Sequence, residues 1–147
     1  VANTILKASG TDIGNSVYDP EFIGLGKKLA KNKKVVVLRD WLWDNNRILD
    51  IGPQTIADFV ARIKKAKTVL WNGPLGLVES TAYANGSIAI AEAITKSRAF
   101  SVVGGGETTQ LIRSLDLQNK ISLLSTGGGA MLEFLAGKKL PGIEALK

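Results

Sequence analysis

Two glycine triplets carry the chemical interest of this chain. Val102-Val103-Gly104-Gly105-Gly106-Glu107-Thr108-Thr109 is an apolar run that stops in three glycines and opens what reads as a helix. Leu123-Leu124-Ser125-Thr126-Gly127-Gly128-Gly129-Ala130 repeats the arrangement, its first glycine falling 23 residues after Gly104. Residues without Cβ let backbone N–H groups approach a ligand closely. A helix starting there adds its unpaired first-turn N–H groups and its positive dipole end. That combination suits a phosphate. A third loop of turn formers, Asn72-Gly73-Pro74-Leu75-Gly76, follows the apolar run Thr68-Val69-Leu70-Trp71. Each loop alone is an ordinary strand-to-helix connection, but three at one sheet edge would let a single ligand touch them all.

Familiar phosphate motifs fit poorly. Gly104-x-Gly106 has no third glycine at residue 109 and no acid about 20 residues later, which disfavours a dinucleotide-binding oxidoreductase. No Gly-Lys-Ser/Thr is present to make a P-loop.

Composition narrows the chemistry further. The 147 residues contain no cysteine and no histidine. Disulfides, thiolate zinc sites, cysteine nucleophiles and histidine-based serine triads are therefore excluded. At 45% hydrophobic residues the chain can bury one core, so a single domain over residues 1–147 is expected. No apolar run approaches the roughly 18 residues of a membrane helix and no signal-peptide pattern opens the chain, so a cytoplasmic protein without membrane contact is expected. The net charge of +6 is scattered except at Lys27-Lys28-Leu29-Ala30-Lys31-Asn32-Lys33-Lys34. That run reads as the basic end of a helix rather than a nucleic-acid patch, which would interleave aromatics or arginine. The only methionine is Met131, and the sequence begins at Val1 in helix-compatible residues, so it reads as part of something longer.

The elements that must hold the loops follow from periodicity. Ala2 to Ser9 reads as helix, 10–16 as a turn-rich loop, and Pro20 opens a second helix through Leu29. Val35-Val36-Val37-Leu38 reads as a first buried strand, whereas Arg39 to Asp50 has no clear period. After Gly52-Pro53 a helix places Ile56, Phe59, Val60 and Ile63 at i, i+3, i+4 and i+7. Thr68 to Trp71, Ala99 to Val103 and Ile121 to Leu124 are the later strands, and Trp71 reads as core packing. Between and after them lie helices at Asn85 to Lys96, around Leu111, Ile112 and Leu115, and at Ala130 to Ala136, the last closed by Gly137. Strict alternation of buried strands and amphipathic helices predicts a three-layer, doubly wound, Rossmann-like parallel α/β sheet covered on both faces. Ligands would sit at its carboxyl edge.

Trp71-Asn72-Gly73-Pro74-Leu75-Gly76-Leu77-Val78-Glu79, Gly104-Gly105-Gly106-Glu107-Thr108 and Ser125-Thr126-Gly127-Gly128-Gly129-Ala130-x-Leu132-Glu133 resemble phosphoglycerate kinase in order and spacing. The likeness extends to Ala2-Asn3-Thr4-x-Leu6-Lys7-Ala8, Leu49-Asp50-Ile51-Gly52-Pro53-x-Thr55 and Leu140-Pro141-Gly142. It implies the C-terminal, nucleotide-binding half of an enzyme that transfers a phosphoryl group between 1,3-bisphosphoglycerate and ADP with Mg2+, the N-terminal phosphoglycerate-binding domain being absent. By that resemblance Leu49 lies near the base of ADP or ATP, Asn72, Gly73, Pro74 and Leu77 line the nucleoside pocket, and Glu79 contacts the ribose. Gly104, Gly105, Gly106 and Thr108 lie against the phosphates, Glu107 serves the metal-nucleotide, and Gly127, Gly128 and Gly129 sit at the helix aimed at the transferring group. It further implies that 3-phosphoglycerate or 1,3-bisphosphoglycerate is met only through the missing domain, and that the full-length enzyme is monomeric. The alternative is a stand-alone nucleotide-binding module without catalysis.

The chain departs from the family pattern at three places. Glu107 stands where the family usually has aspartate. Val37-Leu38-Arg39-Asp40 lacks the usual proline, and the segment from there to Asp50 is short. The Gly-Gly-Ala-Lys segment, whose lysine meets the transferring phosphate in the family, has no counterpart.

Overall fold

A computed structural model of the chain describes residues 1–146. Helix α1 (Ala2–Ala8) packs against α2 (Ile23–Ala30), which a 3-10 turn at Pro20–Phe22 precedes. Asp19 caps that turn by accepting the Glu21 N–H at 3.1 Å. The Lys27 and Lys28 pair lies in the last turn of α2, where it complements the dipole.

Residues 35–38 form no strand. The run is apolar but has no neighbouring strand to take up its ladder of N–H and C=O groups, and all four residues are only half-buried. Regular structure begins instead in the stretch that lacked a period. Strands β1 (Trp41–Asp44) and β2 (Arg47–Ile51) form an antiparallel hairpin with a bulge between Leu42 and Trp43. Asn45 and Asn46 turn it at φ of 46° and 58°, the left-handed pair that a two-residue type I′ connection requires.

Helix α3 (Pro53–Ile63) starts beside the hairpin, and Asp40 supplies its cap from a distance. The Asp40 carboxylate accepts the N–H groups of Gln54 at 2.9 Å and Thr55 at 2.8 Å, and the Thr55 hydroxyl at 2.9 Å. Burial alone would raise the Asp40 pKa, but these bonds to the ionised form bring it below its ordinary value. A carboxylate lowered in the folded state contributes stability above its unfolded pKa of about 3.9 and loses it as pH falls through the folded value. An Asp40→Ala variant is therefore expected to melt below wild type at pH 7, with the gap closing in acid. A gap that stays constant down to pH 2 would rule the cap out.

The main sheet is parallel, with β3 (Thr68–Asn72), β4 (Phe100–Gly104) and β5 (Leu123–Ser125) in sequential order. Helix α4 (Asn85–Lys96) crosses from β3 to β4, and α5 (Gly106–Ser114) from β4 to β5. Right-handed crossovers in a sequential order put both helices on one face. Trp71, Val103 and Leu124 share that face by register and meet Ile90, Ala91, Ile94, Leu111 and Ile112 in the core. Phe59, Val60 and Ile63 of α3 join the same cluster. Fully burying each such aliphatic side chain contributes about 1.5–3 kcal/mol.

The α/β class, the parallel sheet and a helix on each face agree with the sequence reading, and the second face is the more thinly covered. On the opposite face Leu70, Phe100 and Leu123 remain 46–56% exposed. On it lies α6 (Gly128–Leu135), whose Met131 sits over Gly104. Fuller cover of the second face needs a reversal of strand order, and three strands in sequence contain none. Gly137, at φ 77°, ends α6 by donating its N–H to Phe134, while the Lys138 N–H bonds Glu133. A short helix, α7 (Pro141–Glu144), follows. No helix among the described residues is long and apolar enough to cross a membrane.

Candidate functional site

The three loops leave the sheet from one row, because Asn72 pairs with Gly104 and Gly104 with Ser125. They are then tied to one another. The Asn72 side-chain amide donates to the Gly128 carbonyl at 3.4 Å, the Gly105 N–H to the Ser125 carbonyl at 3.2 Å, and the Gly73 N–H to the Thr108 hydroxyl at 3.1 Å. Gly105 takes φ 94°, a backbone state that side chains resist, to turn the chain into α5. A Cβ on Gly128 would lie 2.7 Å from the Gly105 Cα, so the starts of α5 and α6 touch backbone to backbone.

The helix starts differ in how their first-turn N–H groups are used. Asp40 occupies the start of α3, and Asp50 occupies that of α4 by accepting the Gly86 N–H at 2.8 Å. No side chain among the described residues caps α5 or α6. Two open helix starts thus stand side by side at the carboxyl edge, with Gly106 and Gly129 exposed and clear of other atoms. Such a pair of donor groups and dipole ends can hold an anion.

The residues singled out in the sequence fall into three adjoining groups. Asn72, Gly73, Gly105, Thr108 and Gly128 form the knot between loops. Within it the Thr108 side chain is fully buried and already engaged by Gly73, and Gly104 lies beneath Met131. Leu49, Pro74 and Leu77 line a cleft of about 320 Å³ between the hairpin and the β3 loop, with Val1, Ala2 and Asn3 at its other side. The Leu77 N–H donates to the Leu49 carbonyl at 2.9 Å across that cleft's floor. Glu79 and Glu107 line a smaller groove of about 160 Å³ with Val78 and Gln110. Gly127 is exposed just ahead of α6. Trp71 is buried in the core, and its indole N–H donates to the Gly73 carbonyl at 2.7 Å, which steadies the loop.

Asp50, Ser87 and Tyr83 also shape the cleft, although sequence reasoning assigned them no role. The Ser87 hydroxyl accepts the Leu75 N–H at 2.8 Å, and the Tyr83 hydroxyl bonds Asp44, which raises the tyrosine pKa. Burial pushes the Asp50 carboxyl above its ordinary value, opposed by the Gly86 and Ile51 N–H groups. Its contribution to stability has the opposite sign to that of Asp40, being present in acid and lost as pH rises through the folded value.

The phosphoglycerate kinase family model matches residues 1–138. The chain belongs to that family. A phosphoglycerate kinase of Francisella philomiragia is 41% identical over an aligned length of 172 residues, and that of Blochmanniella pennsylvanica 39% over 166. Both alignments cover all of this chain, so the relatives carry residues within the matched span that it lacks. The chain spans 44% and 42% of those two proteins. Among solved structures, phosphoglycerate kinase of Coxiella burnetii superposes with a TM-score of 0.85 at 35% identity, covering 97% of this chain and 43% of that one. The Pyrococcus horikoshii enzyme gives 0.83 at 30% identity, covering 99% and 43%. The α/β fold with its three-strand parallel sheet therefore matches the fold of this family of glycolytic kinases.

Proposed function

We propose that residues 1–147 are the ADP/ATP-binding half of a phosphoglycerate kinase, the phosphoglycerate-binding half lying on other residues. The observation that carries this reading is the pair of uncapped helix starts at α5 and α6, in contact at the ends of adjacent strands while α3 and α4 have theirs filled by Asp40 and Asp50. Phosphoryl transfer asks for positioning and for donors aimed at developing negative charge, and it needs no titrating base on this half. Absence of histidine is compatible with that demand.

In this reading Leu49, Pro74 and Leu77 hold the base and nucleoside in the cleft, and the phosphates run along the knot toward Gly106 and Gly129. Gly127, Gly128 and Gly129 present the α6 N-terminus to the transferring phosphate. Glu79 takes the ribose. Glu107, exposed in the first turn of α5, is the carboxylate for magnesium. No group of three metal-binding side chains occurs among the described residues. A single carboxylate fits an ion held chiefly by nucleotide phosphates and water, which is how magnesium is usually bound. When bound, the ion neutralises charge on the phosphates during transfer.

Gly106→Ala tests the phosphate path. Its φ is not left-handed, and a Cβ there meets nothing within 4 Å, so the protein itself tolerates the change. A methyl group in the space meant for a phosphate displaces a charge-assisted hydrogen bond of about 1.5–3 kcal/mol, or roughly ten- to 150-fold in affinity. Calorimetric titration with Mg-ADP is expected to show that loss at an unaltered melting temperature. Equal affinity in variant and wild type would move the phosphates elsewhere.

A further inference from the structure

We infer that Asp50 is a positioning residue for the nucleoside cleft. Its buried carboxylate fixes the hairpin wall that carries Leu49 against the loop wall that carries Pro74 and Leu77. The inference rests on the nucleotide-binding reading above.

Asp50 is 1% exposed. One carboxylate oxygen accepts the Ile51 N–H at 2.8 Å, and the other accepts the Gly86 N–H, in the first turn of α4, at the same distance. Gly76 and Gly86 wall it in, since a Cβ on either would run into the carboxylate, and one on Gly76 would also strike the Tyr83 carbonyl. The carboxylate therefore has no freedom to move without the strand that bears it.

The register shift of the hairpin leaves Leu49 as the extra residue of β2, directly beside the residue that plants this anchor. Leu49 and Asp50 both belong to the cleft lining, and the Leu49 carbonyl takes the Leu77 N–H. Elsewhere the hairpin is held from the α1–α2 side. Asn15 donates its N–H to the Asn46 carbonyl at 2.7 Å, and the Ile48 N–H donates to the Ser16 hydroxyl at 2.8 Å. Towards the β3–α4 segment it reaches through Leu49, through Asp44 to the Tyr83 hydroxyl, through Asp50, and through the apolar side chain of Ile51, which lies against Gly86. Of the polar side chains that reach towards that segment, Asp50 alone is buried.

The residue at the N-cap position of α4 is Ala84, which has no side-chain oxygen to offer. The acceptor comes instead from the cleft's opposite wall, 36 residues away in sequence. Filling of the α4 start is thereby coupled to closure of the cleft, and a nucleoside meets a slot whose width is already set.

The test separates a positioning role from a merely structural one by using two ligands of wild type and Asp50→Asn. Mg-ADP needs both the cleft and the phosphate path, whereas Mg-pyrophosphate needs only the latter. An amide in place of the carboxylate turns a donor toward a backbone donor and loosens the wall. The expected result is an ADP affinity at least tenfold weaker with pyrophosphate affinity unchanged. Parallel loss of both ligands would make Asp50 a general fold residue, and unchanged ADP affinity would overturn the inference as well. Wild type that binds pyrophosphate but not ADP would sink the nucleotide reading itself, independently of Asp50. Should the variant not fold, amide hydrogen exchange on wild type decides: ADP, but not pyrophosphate, is expected to slow exchange at Leu77 and Gly86. Equal effects of the two ligands, or none from ADP, would refute it.

Discussion

Supplied with saturating Mg-ADP and 1,3-bisphosphoglycerate, the 147-residue chain is expected to give no phosphoryl transfer above background, while a full-length family member turns over in the same coupled assay. The expectation follows from what the site contains. Its donors are two helix starts and the loop glycines between them, and these can hold one anionic ligand. The second substrate is also an anion, and neither the knot nor the acidic groove of Glu79 and Glu107 offers it a cation, while Arg47 lies in the cleft lining with the nucleoside-pocket residues rather than at the helix starts. Holding two reactants in line accounts for about 7–11 kcal/mol of a barrier, equivalent to effective molarities of roughly 10⁵ to 10⁸ M. A chain spanning 42–44% of its relatives and binding one reactant forfeits that term. Measurable transfer by the purified chain would mean that a complete active site lies within Val1 to Lys147, and its assignment as the nucleotide half of an enzyme would have to be abandoned.

The same division between local and distant determinants explains how much the sequence disclosed. Glycine triplets behind apolar runs are local signals, and they located the ends of β4 and β5 and the starts of α5 and α6 correctly. The all-round apolar helix at Asn85 to Lys96 is likewise deep in the core, with Ile90, Ala91 and Ile94 buried. Val35 to Leu38 misled because an apolar run specifies burial but not a pairing partner, and no strand lies beside it. The hairpin escaped because its bulge between Leu42 and Trp43 breaks the alternation of sides. Its turn, Asn45-Asn46, was a usable signal, since Asn tolerates left-handed backbone. Asp50 is the one charged residue in Ile48-Leu49-Asp50-Ile51, which was an unused clue to a buried partner, but its partner Gly86 was not deducible from spacing. Trans-acting caps such as Asp40 and Asp50 join residues 14 to 36 positions apart, which periodicity does not encode.

Replacement of Gly128 by alanine is expected to force apart the two helix starts of the anion site, and its neighbour Gly129 provides the contrast. Gly128 opens α6, and a Cβ there would sit 2.7 Å from the Gly105 Cα, 2.8 Å from the Gly105 nitrogen and 2.9 Å from the Asn72 amide oxygen. The first two are backbone atoms that cannot swing aside. Gly105 is fixed by donating its N–H to Ser125 and accepting that of Thr109, and its left-handed backbone leaves no nearby alternative. Relief requires the two helix starts to part. Overpacking of this kind costs about 1–3 kcal/mol, or roughly 3–10 °C in melting temperature for a chain of this size. Parting them also moves one set of anion donors relative to the other, so Mg-ADP affinity is expected to fall at least tenfold, about 1.4 kcal/mol. A Cβ on Gly129 meets nothing within 4 Å. Gly129→Ala should therefore match or exceed wild-type stability, because alanine is favoured over glycine in a helix by up to about 1 kcal/mol. Any affinity loss it causes without ligand-free destabilisation reports a steric conflict with phosphate. If Gly128→Ala instead melts with wild type and binds ADP as well, the helix starts are not in contact, and the joined anion site that the functional reading depends on does not exist.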